Sequence, residues 1–257
     1  MDYIIICIVA FLVSGLTLFA GFGLGTMLLP AFAIFFHIDI AIALTAVVHL
    51  LNNIFKLSLL GKYADKSVVL RFGIPAILTA YLGARLLIKL SNLDPIFSYE
   101  MFERQFQIMP VKLVIAFLMI IFALFEIIPI LNRISFGKKM LPVGGILSGF
   151  FGGLSGHQGA LRSAFLLRVG LTKETFIASG IVIACIIDVS RLFVYSERFA
   201  AIKLGENYVL LTAVTLSAFL GAYLGRRLLK KITMTFVQIT VSVLLFLIAI
   251  GLGLGII

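Results

Sequence analysis

The sequence predicts an all-α polytopic membrane protein of two inverted repeats, each a re-entrant helical hairpin followed by three transmembrane helices. Three observations lead there. Of the 257 residues, 62% are hydrophobic and 12% charged, with a mean hydropathy of +1.20, whereas a soluble domain averages about 45–50% apolar and about 25% charged. Two apolar stretches are too long for one span and carry glycine clusters near their middles. A block of the first half also recurs in the second.

A span needs about 20 apolar residues. Single helices of that size fit 39–60, 67–90, 111–131, 173–195, 207–229 and 233–257. Residues 3–36 and 141–170 do not fit: as continuous helices they would reach about 51 and about 45 Å. The first contains Gly21-Phe22-Gly23-Leu24-Gly25. The second contains Gly149, Gly152, Gly153, Gly156 and Gly159, with His157, Gln158, Arg162 and Ser163 beside them. Each glycine weakens a helix by about 1 kcal/mol against alanine, so a straight rod is not expected. An arginine at mid-bilayer costs roughly 3 kcal/mol, and broken backbone is tolerated only inside protein or beside a water-filled cavity. Both stretches therefore read as re-entrant hairpins.

The chain opens MDYIIICIVAFLV, with no basic residue before the apolar run; this reads as a retained first segment, not a cleavable signal peptide. Residues 91–110 are the only long polar insert and suit an interfacial loop or short amphipathic helix. Cys7 and Cys185, far apart in apolar sequence, read as buried thiols.

Net charge is +10. In a soluble protein that would suggest nucleic acid; here Lys and Arg cluster in short loops, and orientation by the positive-inside rule accounts for them. Eight crossings would divide these charges almost evenly. With hairpins, Lys62, Lys66, Arg71, Arg133, Lys138, Lys139, Arg168, Lys173 and the Arg226–Lys231 cluster fall on one side. Both termini are then non-cytoplasmic.

The repeat is explicit. Tyr81-Leu82-Gly83-Ala84-Arg85-Leu86-Leu87-Ile88-Lys89 returns as Tyr223-Leu224-Gly225-Arg226-Arg227-Leu228-Leu229-Lys230-Lys231. Ser14-Gly15 matches Ser148-Gly149, Gly25 matches Gly159, and Asn53 and Lys56 match Asp188 and Arg191. The halves span 1–131 and 132–257. Three crossings per half is odd, so the halves insert oppositely, as in secondary transporters with midplane sites at discontinuous helices.

Helix restarts are expected near Gly25-Thr26 and near Gly159-Ala160, where free N–H groups and the positive dipole end suit an anion. Arg162 and Gln158 lie four apart on one face, and a guanidinium fork matches oxyanions; alternatively Arg162 caps carbonyls at the tip or snorkels. His157 either meets the substrate and titrates or only fastens the hairpin to its neighbour. His49, Asn53 and Lys56 share a helix face, as Asp188 and Arg191 do. The plainer account is an internal ladder in which Asp188 neutralises Arg191, with Lys56 snorkelling from near its helix end. Gly221-x-x-x-Gly225 and Thr79-x-x-x-Gly83 are small-residue faces for close helix packing. The candidate binding residues are Gly23, Gly25, Thr26, His49, Asn53, Gly156, His157, Gln158, Gly159, Arg162, Ser163, Asp188 and Arg191. No catalytic residue, metal site or cofactor is expected: the Gly21 run follows no strand, and phosphate-loop, His-Glu-x-x-His and paired-Cys motifs are absent from the sequence.

The glycine-rich opening, the two matching halves, the small-residue motif ending in Gly-x-Arg and the stretch Gly153-Leu154-Ser155-Gly156-His157-Gln158-Gly159-Ala160-Leu161-Arg162-Ser163 together resemble the TauE/SafE group of sulfite and organosulfonate exporters and permeases. The resemblance covers essentially the whole chain; in the first half Leu24 interrupts Gly23 and Gly25, with Pro30 following. It implies secondary transport of small sulfur-containing anions. The partners expected are that anion and the bilayer, with a homodimer allowed and no nucleic acid, in a bacterial inner (plasma) membrane. An anion channel, a membrane-embedded enzyme and a subunit of a larger assembly are the rivals.

Overall fold

The computed structural model describes residues 2–20, 24–101, 104–128, 136–167, 169–196, 208–228 and 234–256. Its helices are α1 (Asp2–Ala20), α2 (Leu24–Ala33), α3 (Ile38–Leu60), α4 (Lys66–Ser91), α5 (Pro110–Ile127), α6 (Leu141–Ser155), α7 (Gly159–Leu166), α8 (Lys173–Tyr195), α9 (Tyr208–Leu228) and α10 (Met234–Gly253). Helices α3, α4, α8 and α9 contain stretches long and apolar enough to cross a membrane. Large apolar side chains point outward, Phe193 at 71% and Leu78 at 65% exposure. Such a surface suits lipid; in water it would be an aggregation liability.

Local chemistry sets the helix ends. Asp65 caps α4, its carboxylate accepting from Val68 N–H at 2.9 Å, while Asp65 N–H donates to Ser179 Oγ on α8. Thr172 caps α8 by accepting from Thr175 N–H. Pro110 opens α5, where its missing N–H is harmless. That helix stops at Ile127, short of the expected 131, because Pro129 follows and Ile128 is extended (ψ 112°). Gly156, left-handed at φ 82°, closes α6 with its N–H on Gly152 O.

The helices pair across the two halves of the sequence: α4 along α6, α1 along α9, α3 against α8 and α5 against α10. Glycines permit the closest approaches. A Cβ on Gly83 of α4 would strike the backbone of Phe150 and Leu154 on α6, and one on Gly153 would strike Ala80. At the other contact Gly221 and Gly225 of α9 lie against Phe11 and Gly15 of α1. Both small-residue faces are therefore packing surfaces.

Two expectations are revised. Glycine density does not by itself break α6: Gly144, Gly145, Gly149, Gly152 and Gly153 all stay helical, because the close contact with α4 offsets their weak propensity. Residues 91–110 form neither an amphipathic helix nor a plain loop. They hold an antiparallel hairpin, β1 (Phe97–Met101) with β2 (Arg104–Ile108), in register Tyr99 opposite Phe106. The Tyr99 ring stacks on Phe106 at 5.3 Å, and its hydroxyl donates to Leu254 O at 2.6 Å, the aromatic pairing that favours strands. In the second long apolar stretch the helix restarts at Gly159, and in the first α1 and α2 pack against each other.

Gly21, Phe22 and Gly23, the expected first break, lie outside the described residues, as do Arg133, Arg168, Arg198, Lys203, Lys230 and Lys231 of the loop-charge argument.

Candidate functional site

The site is built on three elements that the fold brings together. Helical spacing on α3 puts His49, Asn52, Asn53 and Lys56 on neighbouring positions of one face, and all four are buried. On α8, Asp188 and Arg191 are fully buried. Between α6 and α7 the chain breaks at Gly156-His157-Gln158, and these residues, with Gly159, Arg162 and Ser163, are buried too.

Asp188 is the hub. It receives His49 Nδ1 at 2.6 Å, Gln158 Nε2 at 3.0 Å and Arg191 Nε at 3.0 Å, with Arg191 Nη2 at 2.7 Å. One carboxylate thus ties α3 of the first half to α8 and to the break of the second. If His49 Nδ1 carries the proton donated to Asp188, the other ring nitrogen is the acceptor, and the Asn53 amide lies 3.4 Å from it. Gln158 works from both ends of its amide: its Oε1 accepts from Arg162 Nη1 at 3.2 Å while its Nε2 donates to Asp188. The ladder expected between Asp188 and Arg191 is present, and it extends well beyond that pair.

The break is anchored on every side. Ser148 Oγ donates to Gln158 O at 2.8 Å, Arg191 Nη1 donates to Gly152 O at 3.3 Å, and Tyr195 Oη donates to Gly153 O. His157 stacks on Phe122 of α5, ring centroids 5.3 Å apart and planes 2° from parallel; its Nδ1 lies 3.1 Å from Ser155 O. His157 does fasten the break to its neighbour. Its buried Nε2 has no partner among the described residues, so a second role stays open to it.

The first half comes within contact of this break. A Cβ on Gly25 would sit 3.5 Å from the His49 ring and 3.6 Å from Gly156 O. Gly25 of α2 is thus a neighbour of both His49 and the interruption before α7. Gly23 and the Thr26 side chain lie outside what the structure describes.

Arg162 does not snorkel: it is 3% exposed, and a Cβ on Gly180 of α8 would lie 3.4 Å from its Nε. Lys56, expected to snorkel, is likewise 5% exposed. Asn52, Ser14, Phe122 and Tyr195 complete the surroundings and were not among the sequence candidates. Tyr195 was within reach of the pattern, one turn beyond Arg191; Ser14 donates to Asn52 Oδ1 at 3.1 Å, and nothing local to either residue announces that contact. Among the described residues no group of His, Cys, Asp and Glu has a metal-binding arrangement. Buried cations and amide donors thus converge on one carboxylate.

Residues 6–252 match the model of the family described as sulfite exporter TauE/SafE. The chain belongs to that family. No curated protein and no solved structure matches it. Membership of TauE/SafE makes this an integral membrane protein of a transporter family rather than of an enzyme family, and implies the export of sulfite or related sulfur compounds.

Proposed function

We propose that the chain is a secondary transporter of small sulfur-containing oxyanions, sulfite and sulfonates, working by alternating access in a bacterial inner membrane. One observation carries this: Gly25 of the first half lies within contact of the interruption at Gly156 in the second, beside buried cations. In this reading the anion lies between the restarts at Leu24 and Gly159. It is held by backbone amides at the starts of α2 and α7, and by Arg162, Gln158, His157, Ser163 and Asn53. His49, Asp188 and Arg191 form the charged layer behind it.

The architecture proposed is an inverted repeat with re-entrant hairpins. At about 1.5 Å per residue, α2 and α7 reach only about 15 and about 12 Å, short of a hydrocarbon core of about 30 Å. Supporting the repeat, α1–α9 and α4–α6 are the same pairing with the halves exchanged. Both termini would be non-cytoplasmic. Export of an anion is assisted by an inside-negative potential, about 2.3 kcal/mol per charge per 100 mV.

The test is flux of labelled sulfite, sulfonate and sulfate in proteoliposomes, wild type beside Arg162→Ala. Counterflow exchange, lost in the variant, is the expected result. Flux without counterflow would make the protein a channel, substrate turnover by purified protein would make it an enzyme, and undiminished flux in Arg162→Ala would remove that residue from the site.

A further inference from the structure

The β1–β2 hairpin takes no part in the site around Asp188, and its register sorts its side chains onto two unlike faces. Phe97 pairs with Ile108, Tyr99 with Phe106 and Met101 with Arg104, whereas Ser98 pairs with Gln107 and Glu100 with Gln105. Strand side chains alternate. One face therefore carries Phe97, Tyr99, Met101, Phe106 and Ile108, with Arg104 in register at the turn end; within the strands the other carries Ser98, Glu100, Gln105 and Gln107. On the first face Tyr99 stacks with Phe97 at 6.3 Å and with Phe106 at 5.3 Å. Phe97 is nonetheless 59% exposed, and Met101 is exposed too. A two-stranded hairpin is marginal in water by itself, and an uncovered aromatic face adds a liability.

Contacts with α10 place that face. Tyr99 Oη donates to Leu254 O at 2.6 Å, and a Cβ on Gly255 would stand 2.5 Å from Gln107 O, so the hairpin rests directly on the end of α10. Along α10, Ile239, Val243, Leu247 and Ile250 recur at helical spacing and are all exposed, and Leu254, just past the helix, continues them. In an integral membrane protein such a stripe suits lipid. From Ile239 to Leu254 it runs about 22 Å, most of a hydrocarbon core of about 30 Å. It ends on the carbonyl that Tyr99 holds. The aromatic face is thus continuous with the apolar side of α10 and lies where that side runs out.

We infer that the hairpin is a lipid-binding surface element: its aromatic face lies against the bilayer at headgroup level, and its polar face is in water. Rings with a polar tip favour that level, and Tyr99 is such a ring. The occupant is lipid and not a second copy of the chain, because the surface continued by the aromatic face is the one α10 turns to the bilayer. The inference depends on the chain being a membrane protein and not on what it carries.

The chain contains no tryptophan, so a single introduced one is a clean reporter. Phe97→Trp puts it on the aromatic face and Ser98→Trp on the polar face, both at exposed positions. Each variant is reconstituted in phosphatidylcholine vesicles with and without brominated acyl chains, and separately with iodide present on both sides. The loss of fluorescence to bromolipid should be about 2-fold or more greater for Phe97→Trp than for Ser98→Trp, since neighbouring strand residues point to opposite faces. Iodide should reverse the order. Met101→Trp and Glu100→Trp repeat the comparison at the other end of β1 and carry the test should either first variant fail to fold. Equal responses from the two faces overturn the inference. So does a Phe97→Trp reporter shielded from both quenchers, which would mean that protein, a second copy included, covers the face.

Discussion

Replacing Asp188 with Asn is the sharpest perturbation of the network, because it keeps the side chain's shape and removes only the charge. The carboxylate receives His49, Gln158 and Arg191, the last at 2.7 Å with both partners fully buried. At that separation two unit charges attract by about 6 kcal/mol at an effective dielectric constant of about 20. Part of this is offset, since the mutant no longer buries a carboxylate, but Arg191 then stays buried with no counter-ion. Breaking one side of such a pair costs about 3–5 kcal/mol. Arg191→Met should be milder, because Asp188 keeps His49 and Gln158. The double variant Asp188→Asn/Arg191→Met should recover at least half of the loss in Asp188→Asn, since it leaves no orphaned charge. Reversible unfolding in mixed micelles, run as a double-mutant cycle, measures all three. If Asp188→Asn lies within about 1 kcal/mol of wild type, or the double variant is no better than it, the hub is not electrostatic and the reasoning fails.

Gly83→Ala and Gly153→Ala should each separate α4 from α6 and lose about 1–3 kcal/mol of stability, as overpacking does, whereas Gly137→Ala, with nothing within 4 Å, should stay within about 0.5 kcal/mol; thermal melts compare them. Gly156 and Gly170 both have φ 82°, but a Cβ on Gly156 would also stand 3.0 Å from Arg191 Nη1. Both alanine variants should therefore show the backbone penalty of about 1–2 kcal/mol, and only Gly156→Ala should also lose sulfite flux. Tyr99→Phe should cost about 1 kcal/mol through the lost bond to Leu254 O and leave flux unchanged, which separates the hairpin from the transport machinery.

What the sequence made legible was local. Helix α8 has the bounds expected, Lys173–Tyr195, because Thr172 supplies a cap and a polar first turn precedes an apolar run. The Asp188–Arg191 pair was readable from a three-residue spacing on one helix. The bond between His49 and Asp188 was not, since 139 residues separate them and only the docking of α3 on α8 joins them. The strands at 97–108 were missed because the run is short and mixes charge with aromatics, so alternation is faint beside the helical signals around it.

Glycine shows why one residue type could not be read one way. Gly149 and Gly153 sit inside a regular helix and exist to let α4 come close; their missing Cβ is a matter of space between two helices. Gly156, three residues on, takes a left-handed φ that ends the same helix. Gly25 belongs to neither class, since it lies in α2 and brings that helix within contact of His49 and Gly156 O. Composition weighs all of these alike, and the summed propensity suggested one long disruption. The fold instead concentrates the break at Gly156-His157-Gln158, where the polar side chains also converge. A helix that is otherwise held straight by its neighbour can present a sharp, well-anchored interruption, and Ser148, Arg191 and Tyr195 hold this one in place.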